Sequence, residues 1–431
     1  MAGLPESAPP GEKAEPASAP PAAVNSNVSR PMPRANTGSA LLNFISNTFT
    51  RLLQFERRFD HWLRPPFDAT LRDPIARFVT WLINRKRPNE GLKIAEEKLL
   101  PDEEEFLDSI ISNFEKQMRL LWKPGGFERG GNTKTQGIVR GDFIVHDNLP
   151  EKFRYGIYAE PRTYRAWVRF SGPGPYITPD IDDPGFMSIS IKLMGVPGPK
   201  LMEEEKSTLD MFGVSTPTFV TPDTKANAQL QLESVKNAQI YYFLNFHRSH
   251  VLDLIMQSLF IKTQTSPFEA PYFSCVPYLL GEGQAMQYSV WPKTKRRTHI
   301  PRLPFRPPDD YLRNAMVAAL TAGDVEFDFR VQLQTDPHLM PIENNAVLWP
   351  EKLSPRVSVA TLRLPRQQFD SPAQMEFAKK LSYNPWHTIA EHRPLGNQSR
   401  ARRRMYDTLS KFRHQMNAVP LYEPDGNERF S

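Results

Sequence analysis

Three residues near the C-terminal end of the sequence, Arg402, Tyr406 and Arg413, have a spacing that could support chemistry. On a helix with about 3.6 residues per turn, these separations bring all three side chains to within roughly 40° of one face. Fixed positive charge beside a tyrosine favours the phenolate form of its side chain, and a phenolate can ligate haem iron. The alternative is a basic surface helix whose arginines are solvated and whose tyrosine packs in a core.

Alternating hydrophobicity predicts an antiparallel sheet upstream of this helix. In residues 325–333, Val and Phe alternate with Glu, Asp, Arg and Gln, which is the period of a half-buried strand. The strand predicted at 164–171 carries Arg169 on its second face, and a buried arginine needs an anion beside it. Similar runs span residues 139–145, 187–193 and 357–364.

Helix signals lie on both sides of these strands. Residues 102–122 carry an apolar helical stripe, and Asp102 with Glu105 resembles a capping box at its start. The stretch 226–262 also has a helical pattern. Ser371, followed by Pro372, predicts the start of a helix that runs to about residue 383. The last predicted helix covers residues 402–416.

Composition limits the class of protein. Residues 1–39 are rich in Pro, Ala, Ser and Gly and cannot bury enough apolar surface to order themselves, so they are predicted to be a disordered tail. The net charge of +6 comes without any nucleic-acid-reading motif, so no nucleic-acid partner is predicted. Cys275 is the only cysteine. This excludes an intrachain disulfide and, with no apolar signal-peptide core, predicts an intracellular location.

Residues 40–90 are predicted to form an amphipathic helical arm. Leu, Phe, Ile and Trp side chains recur through residues 41–63 with arginines among them. Two alternatives stay open. The segment 40–87 can lie on a membrane surface as a peripheral contact, or it can pack against the main domain or against another subunit of a homo-oligomer.

Four segments, in this order along the chain, resemble motifs of the haem-dependent catalase superfamily. They are Val168-Arg169-Phe170-Ser171, the segment from Phe212 to Phe219, the segment from Leu381 to Pro385, and Arg402-x-x-x-Tyr406. The resemblance covers roughly residues 95 to 417. It implies an α+β fold, namely a catalase-like antiparallel β-barrel with C-terminal helices. The domain organisation is then a tail (1–39), the arm (40–90), a haem-binding barrel domain (91–420) and a C-terminal tail (421–431).

The resemblance also implies a cofactor, haem b (iron protoporphyrin). Tyr406 would be the axial ligand of the haem iron, as a phenolate held by Arg402. The haem propionates would pair with Arg169, Arg413 and Arg129 through charge-assisted hydrogen bonds. Without a polyanionic ligand, several arginines in one barrel pocket would be costly.

The sequence departs from the superfamily pattern where catalases carry a distal histidine. Alignment places Asn132 or Thr133 at that position, and Ser215 at the position of the distal asparagine. These side chains can hydrogen-bond a peroxide, but none is a useful base near neutral pH. The expected function is therefore oxidation chemistry on organic or lipid hydroperoxides rather than efficient disproportionation of hydrogen peroxide. The alternative is a haem-binding or scaffold protein without significant turnover.

Overall fold

Eight antiparallel strands close into a barrel in the computed structural model, which describes residues 29–245 and 249–430. The ring runs β5-β4-β3-β2-β1-β9-β8-β7, and it closes because β5 also pairs with β7. A ninth strand, β6, pairs with β7 beside β5. The strands are β1 (Thr135–Val145), β2 (Thr163–Ser171), β3 (Ser188–Leu193), β4 (Leu209–Val214), β5 (Tyr272–Phe273), β6 (Tyr278–Leu279), β7 (Ala285–Pro292), β8 (Val325–Leu333) and β9 (Val357–Leu364).

The barrel interior is filled by the apolar side chains that alternate along these strands. Val168, Phe327 and Leu362 are fully buried members of one large core that every long strand helps to form. Aromatic rings pack edge to face inside it, as in the pair Phe143 and Phe329, whose centroids are 5.0 Å apart. The period-two pattern thus fixes which side chains point inward.

Ten helices surround the barrel within the described residues. Helices α4, α5 and α10 pack against each other on one side, where Leu107, Ala228 and Ala401 share an apolar cluster. The helices are α1 (Ala40–Arg57), α2 (Asp60–Thr70), α3 (Arg72–Lys86), α4 (Glu103–Leu121), α5 (Thr224–Val235), α6 (Ile240–Phe243), α7 (Val251–Phe260), α8 (Tyr311–Ala322), α9 (Pro372–Lys380) and α10 (Asn397–Met416).

The structure confirms the predicted α+β fold, an antiparallel β-barrel with C-terminal helices, and it corrects two local predictions. Asp102 does not cap α4, because it has a left-handed backbone (φ 60°) and its side chain makes no capping hydrogen bond. The predicted helical stretch 226–262 is divided among α5, α6 and α7. Ser371 does cap α9, since its side chain accepts a hydrogen bond from the Gln374 amide.

The segments at the two ends of the barrel domain make defined contacts. Of the predicted N-terminal tail, residues 1–28 lie outside the described residues. The remainder contacts the barrel domain: the amide of Arg30 donates to the Ile177 carbonyl. At the other end, Glu428 accepts a hydrogen bond from the Trp167 indole at 2.8 Å. Among the described residues, none of the helices has both the length and the apolar character needed to cross a bilayer.

Candidate functional site

A cavity of about 300 Å³ lies between the barrel and the C-terminal helix α10. Its lining includes residues of β2, β3, β4, α4, α5 and α10, of the loop before β1 and of the loop after α9. Four arginines line it, and no histidine or carboxylate does so among the described residues. The polar and charged lining residues used below are Arg129, Asn132, Arg169, Ser188, Asn227, Gln231, Tyr383, Arg402, Tyr406 and Arg413.

Helix α10 brings Arg402, Tyr406 and Arg413 to the cavity on one face, as their spacing predicted. The ring of Tyr406 packs edge to face on Phe212 of β4, with centroids 5.7 Å apart. Its hydroxyl makes no hydrogen bond to any described residue. The guanidinium of Arg402 lies 5.0 Å from the ring centroid of Phe219. The phenol oxygen of Tyr406 and the guanidinium of Arg402 therefore both reach the cavity, and neither has a hydrogen bond to a described residue.

Two further arginines converge from different elements onto the turn after α9. Arg129 donates to the carbonyls of Ala378 and Leu381, at 2.8 and 2.6 Å. Arg413 donates to the same Leu381 carbonyl at 3.1 Å and also to the Lys379 carbonyl. The Nη1 atom of Arg129 is buried and has no hydrogen-bond partner. These guanidinium groups are held by neutral carbonyls, so their charge is not balanced by a directly bonded carboxylate.

Arg169 enters the same cavity from β2. It is 1% exposed, and its guanidinium donates to the Thr135 hydroxyl and to the backbone carbonyl of Asn132, at 2.7 and 2.6 Å. The strand places it there because the register opposes Arg169 to Ile138 on β1 and to Ser190 on β3. Arg169 therefore lines the cavity without a bonded carboxylate among the described residues, and its need for an anion stays a prediction.

Burying several positive charges in this cavity is unfavourable unless an anion lies beside them. Burial lowers the pKa of Arg169 well below its ordinary value, and the charge of Arg129 lowers this pKa further. Burial and the charge of Arg129 likewise lower the pKa of Arg413 to about 9. Glu128 acts in the opposite direction on both groups, but it ranks behind burial in each case. An anion bound between these guanidinium groups would remove most of this cost.

In the loop from Arg129 to Thr133, the two residues that the sequence placed at the distal position, Asn132 and Thr133, have different environments. Asn132 lines the cavity, has a left-handed backbone (φ 52°) and accepts a hydrogen bond from the Ser188 hydroxyl at 2.7 Å. Its backbone amide donates to the Pro173 carbonyl at 3.0 Å, but its side-chain Nδ2 atom donates to no described residue. Thr133 does not line the cavity, and its hydroxyl donates to the Arg129 carbonyl at 2.8 Å. Asn132 is thus the one whose side chain can meet a bound molecule.

Ser215 lies outside the cavity lining. It follows the last residue of β4, and its hydroxyl accepts a hydrogen bond from the Met187 amide at 2.8 Å. Its neighbour Val214 lines the cavity instead. A shift of one residue at a strand end exchanges the two faces, which is why an alignment through this segment does not fix the residue that points inward.

Several cavity residues were missed by the sequence analysis. Asn227 and Gln231 of α5 form a hydrogen-bonded pair four residues apart, at 3.2 Å, and this polar spacing was a readable signal. Tyr383 follows α9, its hydroxyl is buried without a partner, and burial raises its pKa to about 12. Cys275 also lines the cavity, and burial raises the pKa of its thiol to about 12.

A buried ion cluster lies next to the cavity. Lys192 contacts Glu205 and, at 2.7 Å, Asp210. His387 contacts Asp210 at 3.0 Å. The acidic pair and His387 come close enough together to resemble a metal site, but the Lys192 ammonium occupies it. Burial alone lowers the pKa of Lys192, and the charges of Asp210 and Glu205 outweigh that effect and raise it.

The donor set fits an anionic, partly apolar ligand that carries an atom able to bond to a phenol oxygen. Phe114, Phe186, Phe212 and Phe219 supply flat apolar surface on the cavity walls, while four arginines supply positive charge. The volume lies at the lower end of the range for ligand pockets. The arrangement is able to bind anionic groups through Arg129, Arg169 and Arg413, and to ligate a metal through Tyr406.

Solved structures with a similar fold include three catalases. A fungal catalase aligns with a TM-score of 0.55 and 16% identity, over 80% of this chain and 70% of that chain. Catalase A from Saccharomyces cerevisiae aligns with a TM-score of 0.54 and 15% identity, over 80% and 72%. A bacterial catalase aligns with a TM-score of 0.52 and 13% identity, over 78% and 67%. No protein-family model and no curated protein sequence matches this chain. The chain therefore has a catalase-like fold.

Proposed function

We propose that this protein binds haem in the cavity beneath α10 and acts on peroxides, with organic or lipid hydroperoxides preferred over hydrogen peroxide. One observation carries the proposal. Tyr406, with an unbonded hydroxyl, shares a single cavity with four arginines and with no carboxylate among the described residues. The phenol oxygen could ligate iron, and the arginines could bind the two carboxylates of a dianionic cofactor.

The residues present fit haem b. Tyr406 would be the axial ligand, and Arg402, one helical turn before it, places a positive charge near the phenolate. Arg129, Arg169 and Arg413 would bind the propionates, and the unpartnered Nη1 of Arg129 is a donor still available for this. Hydrogen bonds between guanidinium and carboxylate are strong and directional, which would offset the burial of three cations.

The chemistry follows from which proton donors face the ligand. A ferric haem with a phenolate ligand supplies the iron centre at which a peroxide reacts. Asn132, oriented by Ser188, can donate its amide hydrogen to a peroxide oxygen. It cannot accept a proton near neutral pH. Because no histidine or carboxylate lines the cavity among the described residues, no side chain there can move a proton between the two peroxide oxygens.

This lack of a base supports an organic substrate. General acid–base catalysis typically contributes a factor of about 10²–10⁴ in rate, and hydrogen peroxide disproportionation depends on it. Homolysis of an alkyl hydroperoxide depends on proton transfer less. The phenylalanines of the cavity walls would also favour an alkyl chain over water.

The ligand role of Tyr406 is tested by absorption spectroscopy on the full chain loaded with haem. The Tyr406→Phe variant should lose the spectrum of phenolate-bound ferric iron. Tyr383→Phe is the matched control, because it removes another phenol oxygen from the same cavity, and it should keep that spectrum. Identical spectra for wild type and Tyr406→Phe would rule out Tyr406 as the ligand.

Substrate class is tested by comparing consumption of a fatty-acid hydroperoxide with oxygen release from hydrogen peroxide. Faster turnover of the fatty-acid hydroperoxide is expected. Oxygen release at a catalase-like rate would contradict the preference.

A second function, haem binding without turnover, is favoured by the same absence of a proton-transferring residue in the described cavity. A haem-loaded protein that consumes neither peroxide would support it.

A further inference from the structure

Helix α1 has its polar side against the protein, the reverse of an ordinary surface helix. Ser46 is 3% exposed, and its hydroxyl donates to the Asn237 carbonyl. Gln54 donates to the Asp182 carbonyl. The carbonyl of Arg57 accepts a hydrogen bond from Thr263 at 2.6 Å. Polar hydrogen bonds, rather than apolar burial, therefore attach this helix to the barrel domain.

The opposite side of α1 is apolar and faces outward. Leu41, Phe44, Leu52 and Phe55 are 67%, 68%, 62% and 63% exposed. Their spacing places them along one stripe of the helix. Soluble monomers seldom expose a contiguous apolar patch of this kind unless it contacts something.

The exposed stripe continues beyond α1. Tilted ring contacts link Phe55 to Phe59 and Phe59 to Trp62, with centroids 5.2 and 6.3 Å apart. Phe305, 86% exposed, lies beside the same surface, since Arg58 donates to its carbonyl at 2.7 Å. We call this surface the apolar face; its exposed members are Leu41, Phe44, Leu52, Phe55, Trp62, Leu63 and Phe305.

Exposed basic residues lie beside the apolar face. Residues 40–87 hold nine basic and four acidic residues. Arg51 is exposed on α1 itself. The loop 293–297 adds Lys293, Lys295 and Arg296, all exposed, and it is tied to α2 because Arg297 donates to the His61 carbonyl. Aromatic and aliphatic side chains beside exposed arginines and lysines are typical of proteins that lie in a membrane interface.

We infer that the apolar face docks on an anionic phospholipid bilayer. Its Leu, Phe and Trp side chains would enter the boundary between headgroups and acyl chains, and the neighbouring arginines and lysines would bind lipid phosphate and carboxylate groups. A second copy of this chain fits less well, because a two-fold interface pairs the same patch on both subunits and would bring the two basic sets together. The inference does not depend on haem or on the proposed function.

The test uses the full chain and sedimentation with vesicles. Binding is expected with vesicles of phosphatidylcholine mixed with phosphatidylserine, and it should weaken with added salt because the electrostatic part is screened. Equal binding to vesicles of phosphatidylcholine alone would overturn the requirement for anionic lipid. No sedimentation with either kind of vesicle would overturn the inference as a whole.

Two variants test the surface itself. The triple variant Phe44→Ser, Leu52→Ser, Phe55→Ser should lower vesicle affinity by about tenfold or more. Its control, Leu99→Ser with Leu120→Ser, changes two leucines that are 73% and 67% exposed elsewhere and should bind as wild type does. Wild-type affinity in the triple variant would overturn the inference.

A charge-reversal variant tests the role of the basic residues. Arg51→Glu with Arg296→Glu should weaken binding to the anionic vesicles by about tenfold or more. The control Arg366→Glu changes an exposed arginine outside residues 40–87 and 293–297, and it should bind as wild type does.

Light scattering without vesicles tests the oligomeric state, and it should give the same mass for wild type and the triple variant. A dimer that becomes a monomer in the triple variant, without vesicle binding by the wild type, would assign the face to a second copy and overturn the inference.

Discussion

Arg129 and Arg413 donate hydrogen bonds to the same carbonyl oxygen, that of Leu381, at 2.6 and 3.1 Å. One arginine comes from the loop before β1 and the other from the last turns of α10. Their charges lie close enough for Arg129 to lower the pKa of Arg413. Two guanidinium groups in this arrangement would suit an anion, and the proposed function assigns a haem carboxylate to them.

Arg413→Gln is expected to weaken haem binding by roughly ten- to a hundredfold, since a hydrogen bond to a charged group contributes about 1.5–3 kcal/mol. Titration of the haem-free protein with haemin, followed by absorption, measures this. Arg404→Gln is the control on the same helix. Arg404 is 45% exposed and pairs with Glu104, so its loss should leave haem affinity unchanged. Equal affinities for Arg413→Gln and wild type would contradict the assignment.

Asn132→Gly is expected to lower the rate with a hydroperoxide by about tenfold, because it removes a donor whose hydrogen bond contributes about 1 kcal/mol or more. Glycine accepts the left-handed backbone at this position. Thr133→Val should leave the rate unchanged and reduce stability, because it breaks the bond to the Arg129 carbonyl. Steady-state rates with both variants decide between the two positions. An effect confined to Thr133→Val would reverse our assignment.

Lys192→Met is expected to destabilise the fold by about 3–5 kcal/mol, since it leaves the Asp210 and Glu205 charges buried without their cation. Denaturant unfolding measures the change. Lys411→Met removes a lysine that is 51% exposed and pairs with Asp407, and such a surface pair contributes about 0–1 kcal/mol. Comparable losses for the two variants would show that the buried cluster is not held by Lys192.

His392 is expected to make folding sensitive to mild acid. It is buried and accepts a hydrogen bond from the Ile157 amide at 3.0 Å, and burial lowers its pKa from 6.5 to about 4. The unfolded chain binds this proton first as pH falls, so stability is full above pH 6.5 and declines between pH 6.5 and 4. The loss reaches about 3 kcal/mol.

Unfolding measured across this pH range should therefore show a steeper decline for wild type than for His392→Gln, whose amide oxygen can accept the same bond and does not titrate. Parallel pH profiles for the two proteins would show that another group controls the acid sensitivity.

The period of the hydrophobic pattern, the order of the motifs along the chain and the spacing of Arg402, Tyr406 and Arg413 were all visible in the sequence. They determined the strands of the barrel, the final helix and the face of that helix that meets the cavity, because alternation and helical periodicity are local properties. Amphipathicity of residues 40–63 was equally visible.

Tertiary structure decided the relations between distant residues. Only the fold brings Arg129 and Arg413 to one carbonyl. It also turns Asn132 toward the cavity and Thr133 away from it, and it makes Val214, rather than Ser215, a lining residue at the end of β4. It also decided that α1 binds the barrel domain through its polar side. These outcomes depend on loop conformations and on packing between segments far apart in the chain, and neither is encoded in a local pattern.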